Sequence, residues 1–195
     1  EWMYASEIYY FDEDLNINDM GYLWRNNLLA YGASVNYSRT EFDADSPSKS
    51  RSYNFDYWDQ NNADHENLDQ FYSFNMWQSF KTTSNISINA NLSSKGKDDE
   101  ITRGSLVSPF LRTGNGGNID FSYRSPQLGP WKYSFGIGLE RKNYYAYTDR
   151  RRSASVGLGY TPQDNIRTWL RLNHSHRSNW TIRVDEDLYG TFAQK

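Results

Sequence analysis

Residues 131–140 read WKYSFGIGLE, and this segment decides the fold class. Its large apolar side chains stand at every second position, and the residues between them are small or polar. Successive side chains of a β-strand point to opposite faces, so the alternation predicts a strand with one apolar face. The apolar positions are Trp131, Tyr133, Phe135, Ile137 and Leu139.

The same alternation recurs on both sides of this segment, within residues 117–172. It precedes the segment over residues 118–123, and it returns over residues 153–160 and 166–172. Parallel strands would need crossovers of a dozen or more residues, and the connections here are too short for them. The sequence therefore predicts an all-β fold, an antiparallel up-and-down meander.

Further alternating segments lie nearer the N terminus, the clearest over residues 29–38, 72–80 and 85–92. No part of the chain has helical periodicity over enough residues to predict a helix. A strand with its connection takes about 20 residues, so 195 residues predict about 9–10 strands in a single domain, residues 1–195. The chain opens and closes on strand-like residues, and we expect it to be a fragment of a longer barrel.

Composition excludes several classes of function. The formal net charge is −3, which gives no reason to expect nucleic-acid binding, since that requires a basic surface to neutralise phosphates. Cysteine is absent, which excludes a disulfide, a thiolate metal site and a cysteine nucleophile within these residues. Aromatic residues make up 17%, too many for a disordered chain.

Two architectures fit the alternation, a sector of a transmembrane β-barrel and a soluble β-sandwich. The mean hydropathy of −0.90 does not decide between them, because only every second residue of a membrane strand faces lipid. The polar face is rich in Gly, Ser and Asn, and aromatic residues recur toward strand ends, which favours the barrel. Connections also alternate in length: residues 143–150 are among the longer ones, and residues 125–130 and 161–165 are tight.

Two short motifs add a family resemblance. Residues 18–25 (NDMGYLWR) and 99–106 (DEITRGSL), with Pro109 shortly after, are similar to landmarks of a family of bacterial outer-membrane proteins of unknown function. Members of that family join an N-terminal module similar to family-nine carbohydrate-binding domains to a large C-terminal membrane β-barrel. The resemblance covers most of the chain as barrel and none of it as the binding module.

The resemblance implies a location in the outer membrane of Gram-negative bacteria. It also singles out the loop motif Thr102, Arg103 and Gly104 as a binding candidate. Ser105 stands where the family has a second glycine, so a role that depends on a tight Gly-Gly turn does not transfer.

The densest basic run is Arg150, Arg151 and Arg152, which follows Tyr145 and Tyr147. Guanidinium groups bind phosphates through charge-assisted hydrogen bonds, so these residues are a candidate site for lipopolysaccharide. The alternative is a solvated hairpin tip, because an exposed charge cluster rarely specifies a ligand.

No other constellation predicts chemistry. His174 and His176 share a strand face, but a metal site needs a third ligand, and interfacial polar residues are the alternative. Residues 12–18 resemble a calcium loop but lack its glycine and its distal glutamate. No Gly-x-Ser-x-Gly motif occurs. We therefore predict no catalytic residues, no metal and no cofactor, and a protein that is not an enzyme.

The expected function is that of an outer-membrane β-barrel segment. Its parent protein would bind or import surface-bound material, with saccharide as the candidate ligand. Membrane lipid, lipopolysaccharide and the remaining strands of the parent barrel are the expected partners. The alternative is a soluble, tyrosine-rich β-sandwich that binds carbohydrate or protein by stacking exposed aromatic rings.

Overall fold

The fold is all-β, as the alternation predicts. The structure, a computed structural model, describes residues 1–12, 28–62, 67–98, 111–144, 148–163, 166–178, 181–183 and 192–194. These residues form twelve antiparallel strands. Within the described ranges, no helix is long and apolar enough to cross a membrane.

The strands follow one another along the chain, and most are long. Their bounds are β1 Trp2–Phe11, β2 Leu28–Arg39, β3 Ser48–Asn61, β4 Asn67–Phe80, β5 Asn85–Ser93, β6 Gly96–Asp98, β7 Leu111–Arg124, β8 Trp131–Tyr144, β9 Thr148–Gln163, β10 Ile166–Ser178, β11 Thr181–Arg183 and β12 Phe192–Gln194.

Ten of these strands form one sheet, in the order β1-β2-β3-β4-β5-β7-β8-β9-β10, with the short β6 paired to β7. Every neighbouring pair is antiparallel, and apart from the β5–β7 pairing neighbours in the path are consecutive in sequence, so the predicted up-and-down meander is confirmed. Strands β11 and β12 pair separately. Among the described residues β1 pairs only with β2 and β10 only with β9, so the sheet is open.

The connections at one end of the sheet, which we call the turn end, are residues 40–47, 81–84, 125–130 and 164–165. Thr83 adopts a φ of 70° in the second of these turns, where its N–H donates to Phe80 O at 2.9 Å. The Lys81 ammonium donates to the backbone oxygens of Asp43 and Ala44, at 3.1 and 2.6 Å. The first two connections are thereby tied together.

The opposite end, the loop end, holds the connections between β1 and β2, β3 and β4, β5 and β7, and β8 and β9. The prediction of a longer connection over residues 143–150 is wrong, because β8 continues to Tyr144 and β9 begins at Thr148. Only residues 145–147 separate them. The ladder extends because Asn143 and Thr148 still pair in register.

The sheet has almost no core of its own. Among the described residues the buried hydrophobic side chains are Leu28, Ala30 and Leu68, with Phe11 packed against them. By contrast, Ile137 is 46% exposed and Leu172 is 66% exposed. The described residues supply no second layer over these side chains, so within the described part of the chain the ten-stranded sheet is a single layer.

Candidate functional site

The two faces of the sheet are its candidate functional surfaces. A row of directly paired residues crosses seven strands and serves as the reference for both faces. It comprises Tyr37, Tyr53, Met76, Ile88, Phe121, Ile137 and Ala154. Because side chains alternate, this row and every second residue along each strand from it form one face, the apolar face. The remaining residues form the polar face.

Aromatic rings mark the borders of the apolar face. Near the turn end, the rings of Trp131 and Tyr160 pair across β8 and β9, with centroids 4.4 Å apart. Trp2 and Tyr37 pair at the same end at 4.7 Å. Such rings have an apolar body and a polar tip, which suits them to a border between apolar and wet surroundings.

On β5 and β7 the polar face carries small hydroxyl, amide and carboxylate groups. Ser87 and Ser122 hydrogen-bond across β5 and β7 at 2.7 Å. The Asn118 side chain accepts from Asn91 Nδ2 at 3.1 Å and donates to Asp120 at 2.9 Å. Groups of this kind can exchange hydrogen bonds with water or with a polar ligand that lies on the face.

Indole rings interrupt this polar face, a feature that our sequence reading missed. Trp58 lies opposite Gly32, and Trp169 lies opposite Gly159. A Cβ added to Gly32 would lie 3.1 Å from carbons of the Trp58 indole, and the same atom on Gly157 would meet Trp169 at 2.9 Å. The absence of a side chain at these glycines therefore lets the rings lie close against the sheet.

Near the loop end of β1 to β4, the polar face contains a cleft of about 570 Å³. Tyr9 and Trp58 stack in its wall, with centroids 5.9 Å apart and an interplanar angle of 17°. The lining residues are Tyr9, Phe11, Leu28, Ala30, Trp58, Gln60 and Phe71. The cleft offers flat rings beside one side-chain amide, an arrangement that can hold a small ring-shaped ligand.

The three consecutive arginines do not form one cluster. Arg151 lies on the polar face, opposite Glu140, and its Nε donates to Ser175 Oγ at 3.2 Å. Arg150 and Arg152 lie opposite Arg141 and Leu139, on the apolar face. The three side chains do not project from one surface, because they belong to β9 and alternate between its faces. Their assignment as a lipopolysaccharide site stays a prediction.

The other predicted binding residues lie outside the described residues. These are Tyr145 and Tyr147 in the connection between β8 and β9, and the loop motif Thr102, Arg103 and Gly104. Their assignment as binding candidates stays a prediction.

An ion pair between the half-exposed Arg177 and the buried Asp149 joins β9 and β10 at the loop end of the polar face. Arg177 Nε donates to Asp149 Oδ2 at 2.9 Å, and Arg177 Nη2 donates to the same oxygen. The Asp149 side chain is 5% exposed, so its charge depends on this partner. The ion pair holds the loop ends of β9 and β10 together.

His174 and His176 lie on the apolar face, opposite Ala154 and Arg152 respectively. In the part of the chain that the structure describes, no three His, Cys, Asp or Glu side chains are grouped closely enough to hold a metal ion. The histidines instead neighbour the arginines that project from the same face.

Comparison of the chain with protein-family models, with curated proteins and with solved structures found no match. The resemblance of residues 18–25 and 99–106 to an outer-membrane barrel family stays a prediction.

Proposed function

We propose that the chain is part of the wall of a bacterial outer-membrane β-barrel and that its parent protein binds or imports polar, surface-bound material. The observation that carries this proposal is the uncovered apolar face of a single-layer sheet. Exposing so much contiguous apolar surface to water is strongly unfavourable, so something apolar must cover it. Acyl chains would cover it in a bilayer.

The dimensions of the apolar face support the bilayer. Along β8 the apolar positions run from Trp131 to Leu139. At about 3.3 Å per residue this is ~26 Å along the strand, or ~22 Å along the membrane normal at a strand tilt of about 35°, comparable to the ~25 Å band of outer-membrane barrels. The aromatic pairs at the turn end match the aromatic girdle that flanks such a band.

The slant of the apolar band supports the same proposal. At the turn end, the aromatic border of the apolar face shifts along the strand axis from β2 to β9. In β2 the border residue is Tyr37, which is itself in the reference row. In β9 it is Tyr160, which lies six residues closer to the turn end than Ala154 of that row. Six residues are ~20 Å, and the six strand spacings from β2 to β9 are ~29 Å. The strands would therefore tilt by about 35° from the normal of a flat membrane boundary, as strands of outer-membrane barrels do.

The polar face supports a ligand-handling role. In a barrel wall this face would line an aqueous interior, where hydroxyl and amide groups meet a hydrated ligand. The stacked Tyr9 and Trp58 rings, beside Gln60, provide a flat platform of the kind on which a sugar ring stacks. Saccharide is therefore the ligand class that we propose.

Cysteine labelling tests the membrane assignment, because residues 1–195 contain no native cysteine. In the full-length protein in cells, Ile137→Cys should react with a bilayer-soluble thiol reagent and Ser155→Cys with a water-soluble one. Residues 137 and 155 lie on neighbouring strands and on opposite faces, so each variant is the control for the other. Reaction of both with the water-soluble reagent would contradict the proposal.

The rival proposal is a soluble β-sandwich that binds carbohydrate. The exposed aromatic rings of the sheet are compatible with this function too. It predicts recovery of the full-length protein from the periplasm without detergent. It also predicts that a second layer shields Ile137→Cys from both reagents. Either result would replace the membrane proposal.

Saccharide binding is tested through Trp58. With the full-length protein reconstituted in a planar bilayer, Trp58→Ala should weaken block of the ion current by oligosaccharides about 2- to 10-fold, because ring stacking contributes about 0.5–1.5 kcal/mol. Trp131→Ala removes an indole from the apolar face and is the matched control. Equal block by wild type and Trp58→Ala would contradict a saccharide platform in this cleft.

A further inference from the structure

A patch of basic side chains lies on the apolar face at its loop-end border. Arg141 of β8 is directly opposite Arg150 of β9, and Arg152 is directly opposite His176 of β10. His174 lies one row closer to the turn end, opposite Ala154. All five side chains are exposed. We call Arg141, Arg150, Arg152, His174 and His176 the basic patch.

The described carboxylates of this region lie on the other side of the sheet. Glu140 is opposite Arg151 on the polar face, and Asp149 on that face pairs with Arg177. The basic patch is therefore an excess of positive charge that the described strands do not neutralise. Directly opposed like charges destabilise a strand pair, so an anion bound between Arg141 and Arg150 would stabilise the pairing of β8 with β9.

The surroundings of the patch define the anion. Leu139 is opposite Arg152, and Leu172 follows His174 on the same face of β10, toward the turn end. An anion bound to the basic patch would therefore have apolar side chains beside it, on the side of the turn end. A molecule that matches both parts carries a phosphate joined to hydrocarbon chains, as an anionic membrane lipid does.

We propose that the basic patch binds the phosphate groups of an anionic outer-leaflet lipid whose acyl chains lie on the neighbouring apolar face. Guanidinium groups bind phosphate oxygens in bidentate geometry, and imidazole N–H groups add donors. Arg141 is already oriented, because its Nε donates to Asn143 Oδ1 at 3.1 Å. The proposal rests on the proposed function, since the acyl chains require the apolar face to lie in a bilayer.

The alternation of β9 supplies a matched pair of variants. Arg150→Gln/Arg152→Gln removes two charges from the basic patch, and Arg151→Gln removes one from the polar face between them. The probe is lipid A, added to the detergent-solubilised full-length protein and counted by native mass spectrometry. We expect the double variant to bind lipid A at least about tenfold more weakly, and Arg151→Gln to bind like the wild type.

Two further measurements distinguish lipid phosphate from free phosphate, and failure of this inference from failure of the proposed function. Inorganic phosphate at the same concentration should not displace lipid A, and displacement would mean a free-phosphate site instead. Equal binding by wild type and the double variant, or equal loss in Arg151→Gln, would overturn the inference. If Ile137→Cys still labels from the bilayer in that case, the proposed function survives; if it does not, the membrane proposal itself has failed.

Discussion

The face of the sheet from which a side chain projects decides what that residue can contact. Val156 projects from the apolar face and is 56% exposed, whereas its neighbour Ser155 projects from the polar face. The two residues share a backbone and differ mainly in the medium that each meets. A charge at these positions should therefore have very different consequences.

We expect Val156→Arg to destabilise the folded protein in lipid by about 2–4 kcal/mol, because the guanidinium would enter hydrocarbon near the middle of the apolar band. Ser155→Arg should cost much less, because its charge would face water. Urea unfolding in lipid vesicles measures both free energies. Equal destabilisation by the two substitutions would mean that Val156 does not face acyl chains.

At the same scale, the arginines show what sequence reasoning missed. Placing Arg150 in a loop led to the hypothesis of one cluster with Arg151 and Arg152. Strand β9 in fact begins at Thr148, so all three arginines lie in the strand, and Arg151 projects from the opposite face to Arg150 and Arg152. The pairing of Trp58 with Gly32 could not be foreseen for a different reason. It depends on the register between two strands, which the alternation within one strand does not specify.

At the scale of the elements, the sequence predicts the strands well because each one carries its own apolar face. The alternation of residues 131–140 predicted β8, and the alternation of residues 118–123 and 153–160, with the short connections between them, predicted its antiparallel neighbours. Strand ends were less predictable. Residues 141–144 and 148–150 lie beyond the apolar band and are mostly polar, so they resemble loop residues although they continue the ladder.

The two ends of the strands should lie on opposite sides of the membrane. An epitope tag inserted after Asn62, at the loop end, should be accessible on intact cells, and a tag after Asp45, at the turn end, should not. Antibody binding before and after permeabilisation measures this. The reverse accessibility would invert the topology and keep the barrel, whereas access to both tags in intact cells would contradict a membrane-spanning sheet.

At the scale of the whole molecule, the open edges dominate. In the described part of the chain, β1 and β10 each pair on one side only, so their free edges present unpaired N–H and C=O groups. Hydrocarbon cannot satisfy such groups, so a barrel wall needs further strands to close it. The assignment of residues 1–195 to a sector of a larger barrel stays a prediction.

Residues 1–195 expressed alone in detergent should therefore associate through these edges, and a longer fragment of the parent should not. Size-exclusion chromatography with light scattering distinguishes the two. A monodisperse, heat-modifiable monomer of residues 1–195 would contradict the expectation. It would mean that the strands at the two edges close a small barrel with each other.

The alternation of side chains along each strand also bears on how such a protein reaches its destination. Export machinery in the inner membrane retains segments of about 20 consecutive apolar residues. In β8 no apolar residue between Trp131 and Leu139 has an apolar neighbour other than glycine. In the outer-membrane location that we propose, the unfolded strand would therefore pass the export machinery as a polar segment, and it would gain a lipid-compatible face only on pairing into a sheet.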